Sequence, residues 1–221
     1  MFIIILMSDD LELPDTFPDY SSRDYWETRY SSEASSFDWL LTSSQFLPLI
    51  IPKLHDNHSS EILILGCGSS RLGEDLYREG FHNITNIDFS STVIKQMQEK
   101  YEEFEEMDFT EMNVCKIEYP AGCFDLILDK CTLDCVLCGD KSFNRASLMM
   151  QNVYRVLKPG GCYICVSYGM PDARLGYLKN KFLNWTIEHA KIAKTPLDQF
   201  TSLELSQFHY VYICSKAIDA S

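Results

Sequence analysis

No stretch of the chain approaches the ~20 consecutive apolar residues of a membrane-spanning helix, and no lipidation motif stands out, so no membrane association is expected. Basic residues are scarce: 19 Lys and Arg stand against 32 Asp and Glu, a formal net charge of -13. Lys and Arg must replace the counterions of a phosphate backbone, so this deficit argues against nucleic acid and for a basic partner. Internal repeats and low-complexity tracts are missing, and so is a secretory signal. The apolar start, Phe2 to Leu6, has no basic flank, is shorter than a signal core of roughly 7 to 15 residues, and runs into Ser8-Asp9-Asp10. It reads as a frayed end, with Met7 as a second start. The nine cysteines lie within strand-like and helix-like apolar patterns, so they read as reduced thiols rather than a disulfide framework, and a cytoplasmic location is expected.

What the chain does have is 46% hydrophobic and 13% aromatic residues over 221 positions, enough for one packed α/β domain and too few residues for two. Residues 1–19 carry acids and prolines without periodicity and read as a flexible lead-in to a single domain, 20–221. The segment 20–55, with Trp26, Tyr30, Phe37, Trp39 and Phe46, looks helical, and Pro48 and Pro52 should interrupt any helix there. A strand-helix alternation then begins. Ile62-Leu63-Ile64-Leu65 predicts a strand buried on both faces and ended by Gly66; Ser69 or Ser70 can cap the next helix and Gly80 can stop it. Asn83 to Asp88 predicts a second strand, followed by a helix opened by Ser90 or Ser91 with Val93, Ile94, Met97, Tyr101 and Phe104 near helical spacing. Further strands are expected over 109–114, 124–128 and, after the turn Lys158-Pro159-Gly160-Gly161, 162–168, with a helix over 148–157. Trp185 to His189 alternates, and Phe208 to Ser215 is strand-like, which predicts an antiparallel hairpin closing a doubly wound sheet.

In an open parallel sheet, ligands bind beyond the carboxyl ends of the strands. The first strand ends in Gly66-Cys67-Gly68, whose glycines let backbone approach a ligand, although a structural turn would use the same glycines. Asp88 ends the second strand about 20 positions later, the spacing of an acid that binds ribose hydroxyls; it can equally cap the following helix. Arg71 stands where a nicotinamide-binding loop wants a third small residue, which disfavours that cofactor.

With these features, residues 61–168 resemble class I S-adenosylmethionine-dependent methyltransferases, and Tyr154-Arg155-Val156-Leu157-Lys158-Pro159-Gly160-Gly161 is similar to the family's segment before its fifth strand. The resemblance implies a Rossmann-like α/β fold, a mostly parallel doubly wound seven-stranded sheet with an antiparallel C-terminal hairpin, and S-adenosylmethionine as cofactor. One departure is Ile64, where an acid is usual; contact with the methionine amino group then falls to other residues.

A narrower resemblance, to lysine methyltransferases of translation elongation factor one-alpha, is carried by three patterns. They are Tyr25-Trp26-Glu27-Thr28-Arg29-Tyr30 with Phe37-Asp38-Trp39, Leu65-Gly66-Cys67-Gly68-Ser69-Ser70, and Asp129-Lys130-Cys131-Thr132-Leu133-Asp134, in which the family usually has Gly at the Cys131 position. This resemblance implies that 20–55 caps the cofactor site and that Trp26, Tyr30 and Trp39 fold over the cofactor. It further implies that the loop Gly66-Cys67-Gly68 lines the cofactor, that Asp88 and Phe89 hold the ribose side, and that Lys130 reaches in from the fourth strand. Asn113-Val114 stands where the family has Asp-Val beside the adenine; Asn can still accept from the adenine amine, without charge assistance.

Aromatic faces near a sulfonium are favoured by about 1 kcal/mol, although the same rings can simply cover the sheet edge. Lys130 and Arg29 either neutralise the methionine carboxylate or form surface ion pairs. Asp129 and Asp134 are the candidate catalytic acids, positioning a substrate amine or relaying its proton, with a strand end and a helix cap as the alternative.

Cys131, Cys135 and Cys138 match the spacing of iron-sulfur radical enzymes, but too little chain follows them and the glycine loop would go unexplained. Cys162 and Cys165, three apart on a strand, point to opposite faces and cannot easily complete a zinc site with Cys135 and Cys138. No metal is expected. The partner expected is a protein with a target lysine, elongation factor one-alpha or a similar basic protein. A small-molecule methyltransferase and a catalytically silent binding protein remain the alternatives, the latter because of Asn113 and Cys131.

Overall fold

The apolar run Ile62-Leu63-Ile64-Leu65 forms β1 (Ile62–Leu65), with all four side chains buried. It is paired in parallel with β2 (Ile84–Asp88) on one side and β4 (Phe124–Lys130) on the other. A strand covered on both faces by crossover helices has no solvent side, so its sequence is apolar throughout. The computed structural model describes residues 18–32, 38–194 and 208–218. Phe37 and nearly all of the expected lead-in lie outside them.

The remaining strands are β3 (Met107–Glu111), β5 (Leu157–Ser167), β6 (Trp185–Ala193) and β7 (Phe208–Lys216), and the sheet order is β3-β2-β1-β4-β5-β7-β6. β1 to β5 are parallel, whereas β7 runs antiparallel to β5 and to β6, giving the expected terminal hairpin. Chain order reverses between β1 and β4, which opens a crevice at their carboxyl ends.

Alternate side chains of the central strands feed two cores. Ile62, Ile64, Leu126, Leu128 and Ile164 meet α2 (Ser43–Leu54), α3 (Leu72–Arg78) and α4 (Ser91–Lys100) on one face. Leu63, Leu65, Ile127, Tyr163 and Cys165 meet α5 (Thr132–Val136), α6 (Ser142–Val156) and α7 (Pro171–Leu178) on the other. The first helix, α1 (Arg23–Ser32), buries Trp26. Among the described residues, no helix is long and apolar enough to cross a membrane.

Four local expectations need correction. α2 runs through both Pro48 and Pro52. Each removes one helical N–H bond, but Phe46, Ile50 and Leu54 are buried against the sheet, and that packing outweighs the missing bonds. β3 ends at Glu111, not at residue 114, because Asn113 Oδ1 accepts from Cys115 N at 2.8 Å and closes a turn. β5 begins at Leu157, paired with Phe124, so the expected turn is an irregularity inside the ladder with Gly160 at φ 80°. α6 starts at Ser142, six residues before the apolar periodicity begins, and α5 and α7 are additional short helices.

Ile127 lies mid-strand with no exposed surface. Ile127→Ala is expected to lower stability by about 2 to 5 kcal/mol in urea denaturation, whereas Leu148→Ala, at a position 48% exposed, stays within about 0.5 kcal/mol of the parent. Equal losses would contradict the assignment of the core.

Candidate functional site

The crevice at the end of β1 is shaped by two glycines. Gly66 and Gly68 adopt φ 55° and 51°, a left-handed region that side-chain-bearing residues avoid. A Cβ on Gly66 would collide with Thr132, whose hydroxyl donates to the Leu65 carbonyl at 2.8 Å. A Cβ on Gly68 would lie 2.8 Å from the Tyr30 hydroxyl. Both glycines therefore serve the turn and close packing within the fold, against Thr132 and Tyr30. The loop Gly66-Cys67-Gly68 forms part of the wall of a pocket.

Asp88 is 5% exposed and joins this loop to β2: its Oδ2 accepts from Gly68 N at 3.0 Å and its Oδ1 from Ser90 N at 2.9 Å. Burial pushes its carboxyl up to about 6, against the backbone N–H bonds from Ser90, Gly68 and Phe89 that favour the charged form. Ser90 caps α4, its hydroxyl accepting from Val93 N at 3.3 Å. The next amides are met by a residue from far earlier in the chain. Glu27 accepts from Ser91 N at 2.8 Å, Thr92 N at 3.1 Å and the Ser90 hydroxyl at 2.9 Å. Burial alone would raise the Glu27 carboxyl, but hydrogen bonds from Thr92, Ser90 and Ser91 outweigh it and hold the group at about 2. Arg23 to Glu111, at 2.6 Å, and Gln96 Nε2 to the Tyr30 carbonyl, at 2.9 Å, complete the docking of α1.

α1 thereby presents Trp26, Arg29 and Tyr30. Trp26 stacks on Tyr30 at 5.6 Å, meets Trp39 edge-on at 6.3 Å, and donates its indole N–H to the Tyr20 carbonyl. The cation against these rings is Arg29, 5.8 Å from the Trp26 centroid and 5.5 Å from that of Trp39. Burial, then the nearby Asp88 charge, pushes the Tyr30 phenol upward, so it stays protonated. Lys130, at the end of β4, donates to Asp38 Oδ1 at 2.6 Å, and Ser70 Oγ reaches the same oxygen at 2.5 Å.

Trp26, Arg29, Tyr30, Trp39, Gly66, Cys67, Gly68 and Lys130 line one pocket together with Ser69 and Ser70, and Asp88 is hydrogen-bonded to that loop. Phe89, Asn113 and Val114 lie outside this lining, on the β2 and β3 side. Met112 N donates to the Asp88 carbonyl, Val114 packs with Leu63, Leu65 and Ile87, and Asn113 is committed to its own turn.

Asp129 and Asp134 also lie outside the lining, and both carboxylates hold partners within the fold. Asp129 accepts from the Tyr163 hydroxyl at 2.7 Å and from Thr132 N at 2.8 Å, which starts α5; burial pushes it up to about 7. Asp134 accepts from Arg174 at 2.6 Å, the Ser167 hydroxyl and Tyr168 N. Asp129 thus combines the strand end with a cap on α5, whereas Asp134, inside α5, caps no helix and instead joins α5 to Ser167, Tyr168 and Arg174. Cys131 sits between them at φ 75°, which explains why glycine is usual in that pattern. Among the described residues, no cluster of His, Cys, Asp or Glu could hold a metal ion. Glu27 and Asp38 are site residues that the sequence marks only by their place in the aromatic patterns.

Residues 56–216 match the methyltransferase domain family. The chain is 31% identical over 188 residues to mouse (Mus musculus) EEF1A lysine methyltransferase 4, covering 80% of this chain and 73% of that one. It is 35% identical over 159 residues to the mouse eEF1A lysine and N-terminal methyltransferase, covering 70% of this chain but 22% of that larger protein. Among solved structures, the N-methyltransferase NodS from Bradyrhizobium japonicum, in complex with S-adenosyl-L-homocysteine, superposes with a TM-score of 0.65 at 16% identity, covering 86% of this chain and 98% of its own. Magnesium protoporphyrin IX methyltransferase from Synechocystis, with bound S-adenosylmethionine, gives 0.63 at 12% identity, covering 93% and 100%. These likenesses establish the class I Rossmann-like fold.

Glu27 offers a direct check on how α1 is held. Glu27→Gln is expected to lower stability by about 1 to 2 kcal/mol at neutral pH, the scale of charge-assisted bonds at a helix N-terminus. Because the folded carboxyl is held near 2, below the 4.5 of a free one, its stabilisation is full above pH 4.5 and fades as pH falls toward 2. The stability difference between parent and variant, measured by denaturation at several pH values, should shrink over that window. Equal stability at neutral pH would refute the clamp.

Proposed function

This chain belongs to the methyltransferase domain family, and on that premise we propose that it is an S-adenosylmethionine-dependent protein-lysine N-methyltransferase acting on eEF1A or a similar basic protein in the cytoplasm. The observation that carries the reading is the bond from Gly68 N to Asp88, which locks the glycine loop and the β2 acid together at the point where strand order reverses. The names of the relatives support a lysine in eEF1A as the acceptor. The net charge of -13 supports a basic protein as its carrier, and nine free thiols support a reducing compartment.

S-adenosylmethionine, when bound, supplies a methyl group on a sulfonium to an in-line nucleophile. The chain's own residues bind and orient. Gly66, Cys67 and Gly68 bring backbone close, and Asp88 accepts hydrogen bonds from the ribose hydroxyls. Phe89, Asn113 and Val114 border the adenine side. Arg29 and Lys130 face the methionine carboxylate, while Trp26, Tyr30 and Trp39 exclude water. A lysine amine must be neutral to attack, and burial in a pocket that excludes water disfavours its ammonium form. Asp129 and Asp134 act as positioning residues: the first fixes Thr132 behind Gly66, the second holds Ser167, Tyr168 and Arg174 at the end of β5.

Calorimetric titration with S-adenosylhomocysteine tests the cofactor site. Asp88→Ala should weaken binding by about tenfold or more, the loss expected when a charged acceptor is removed. Ionised Asp88 is the binding form, so affinity in the parent should fall about tenfold as pH drops from 7 to 5, through a carboxyl poised at about 6. Undiminished affinity at pH 5 would contradict that role. Methyl-labelled cofactor incubated with eEF1A should place label on lysine; label appearing only on small molecules would overturn the protein-lysine assignment.

A further inference from the structure

The cofactor reading leaves one charge unaccounted for. The methionine head of S-adenosylmethionine is a zwitterion, carrying an ammonium as well as a carboxylate. Among the described residues, the lining of the pocket supplies two cations, Arg29 and Lys130, and no acid. Ile64, on β1 just before the loop, is apolar and 4% exposed. Asp88 accepts from the Gly68 and Ser90 amides and is assigned above to the ribose hydroxyls. Any carboxylate partner for an ammonium entering this pocket therefore comes from outside the loop and the two strands that flank it.

Asp38 meets that need. Its Oδ1 binds two residues of the lining, Ser70 and Lys130, while its Oδ2 has no hydrogen-bond partner among the described residues. The Lys130 ammonium has three N–H donors, of which the ion pair to Asp38 takes one. The Lys130 side chain is 8% exposed and that of Asp38 25% exposed, so the acid is the more accessible member of a pair that adjoins the pocket lining through Lys130 and Ser70. One carboxylate oxygen and two N–H groups thus stand side by side. That set is complementary to an α-amino acid.

We propose that Asp38 receives the ammonium of the cofactor's methionine head while Lys130 beside it receives the carboxylate. The ion pair then works as a zwitterion receptor rather than only as a strap between the N-terminal region and β4. The inference rests on the cofactor assignment above and deepens it.

The test is calorimetric titration at neutral pH with three ligands: S-adenosylhomocysteine, its desamino analogue with hydrogen in place of the amino group, and 5′-methylthioadenosine, which lacks the whole amino-acid head. The parent should prefer S-adenosylhomocysteine to the desamino analogue by about tenfold or more, as a charge-assisted hydrogen bond provides. Asp38→Asn should abolish most of that preference and leave 5′-methylthioadenosine binding unchanged. Asp38→Glu, which keeps the charge, should restore part of it. Lys130→Met should weaken S-adenosylhomocysteine and its desamino analogue together, preserving their ratio. Thermal melting reports folding of each variant. A preference that survives Asp38→Asn overturns the proposal, as does 5′-methylthioadenosine weakening in step with the other ligands, the signature of a strap alone. Failure of the folded parent to bind S-adenosylhomocysteine would remove the cofactor reading itself, and this inference with it.

Discussion

The Glu27 carboxylate meets the amide N–H groups that open α4, and much of the site's geometry follows from that contact. The first amides of a helix have no partner within it, and a local cap such as Ser90 satisfies only one of them. Here the rest of the demand is met from α1. The carboxylate enters at the positive end of the helix dipole, directly after the strand that ends in Asp88. Two surfaces that are remote in sequence are thereby fixed in register: the helix bearing Trp26 and Tyr30, and the turn bearing Asp88. Gln96 repeats the connection one turn further along α4 by donating to the Tyr30 carbonyl.

A chain with a large excess of acid uses its few cations sparingly within the fold. Lys130 and Arg174 tie the ends of β4 and β5 to Asp38 and Asp134, and Lys158 holds Asp125 at the opposite end of β4. The buried acids on the catalytic side therefore have cationic or backbone partners, which is what low exposure requires of a charged group. The uncompensated acids are left on the surface, where they confer a long-range field without strain in the core.

The central strands are the most legible part of the sequence because burial on both faces leaves an unbroken apolar run, and the terminal hairpin is legible because its edge strand, β6, alternates and β7 beside it is a long strand-like run. α2 was obscured by two prolines whose local cost is outweighed by tertiary packing. α5 and α7, at 5 and 8 residues, are too short to show a helical period. In the site, the glycine loop, Asp88 and the aromatic residues could be read because each belongs to a local pattern. The partners of Glu27 and Asp38 lie 63 and 92 positions away, so no local pattern could reveal their roles. For Asp129 and Asp134 the sequence shows acids at the right place but not where their oxygens point. That direction is decided by Tyr163 and Arg174.

The packing of Thr132 against Gly66 ties two segments that are remote in sequence into one heritable unit. The hydroxyl that supports Leu65 belongs to the turn after β4, and the lack of a side chain at Gly66 is what makes room for it. Neither segment can drift in sequence without the other, so substitutions at these two positions should be correlated across natural variants. A chimaera that transplants the glycine loop into a related sheet would have to carry the β4 turn with it.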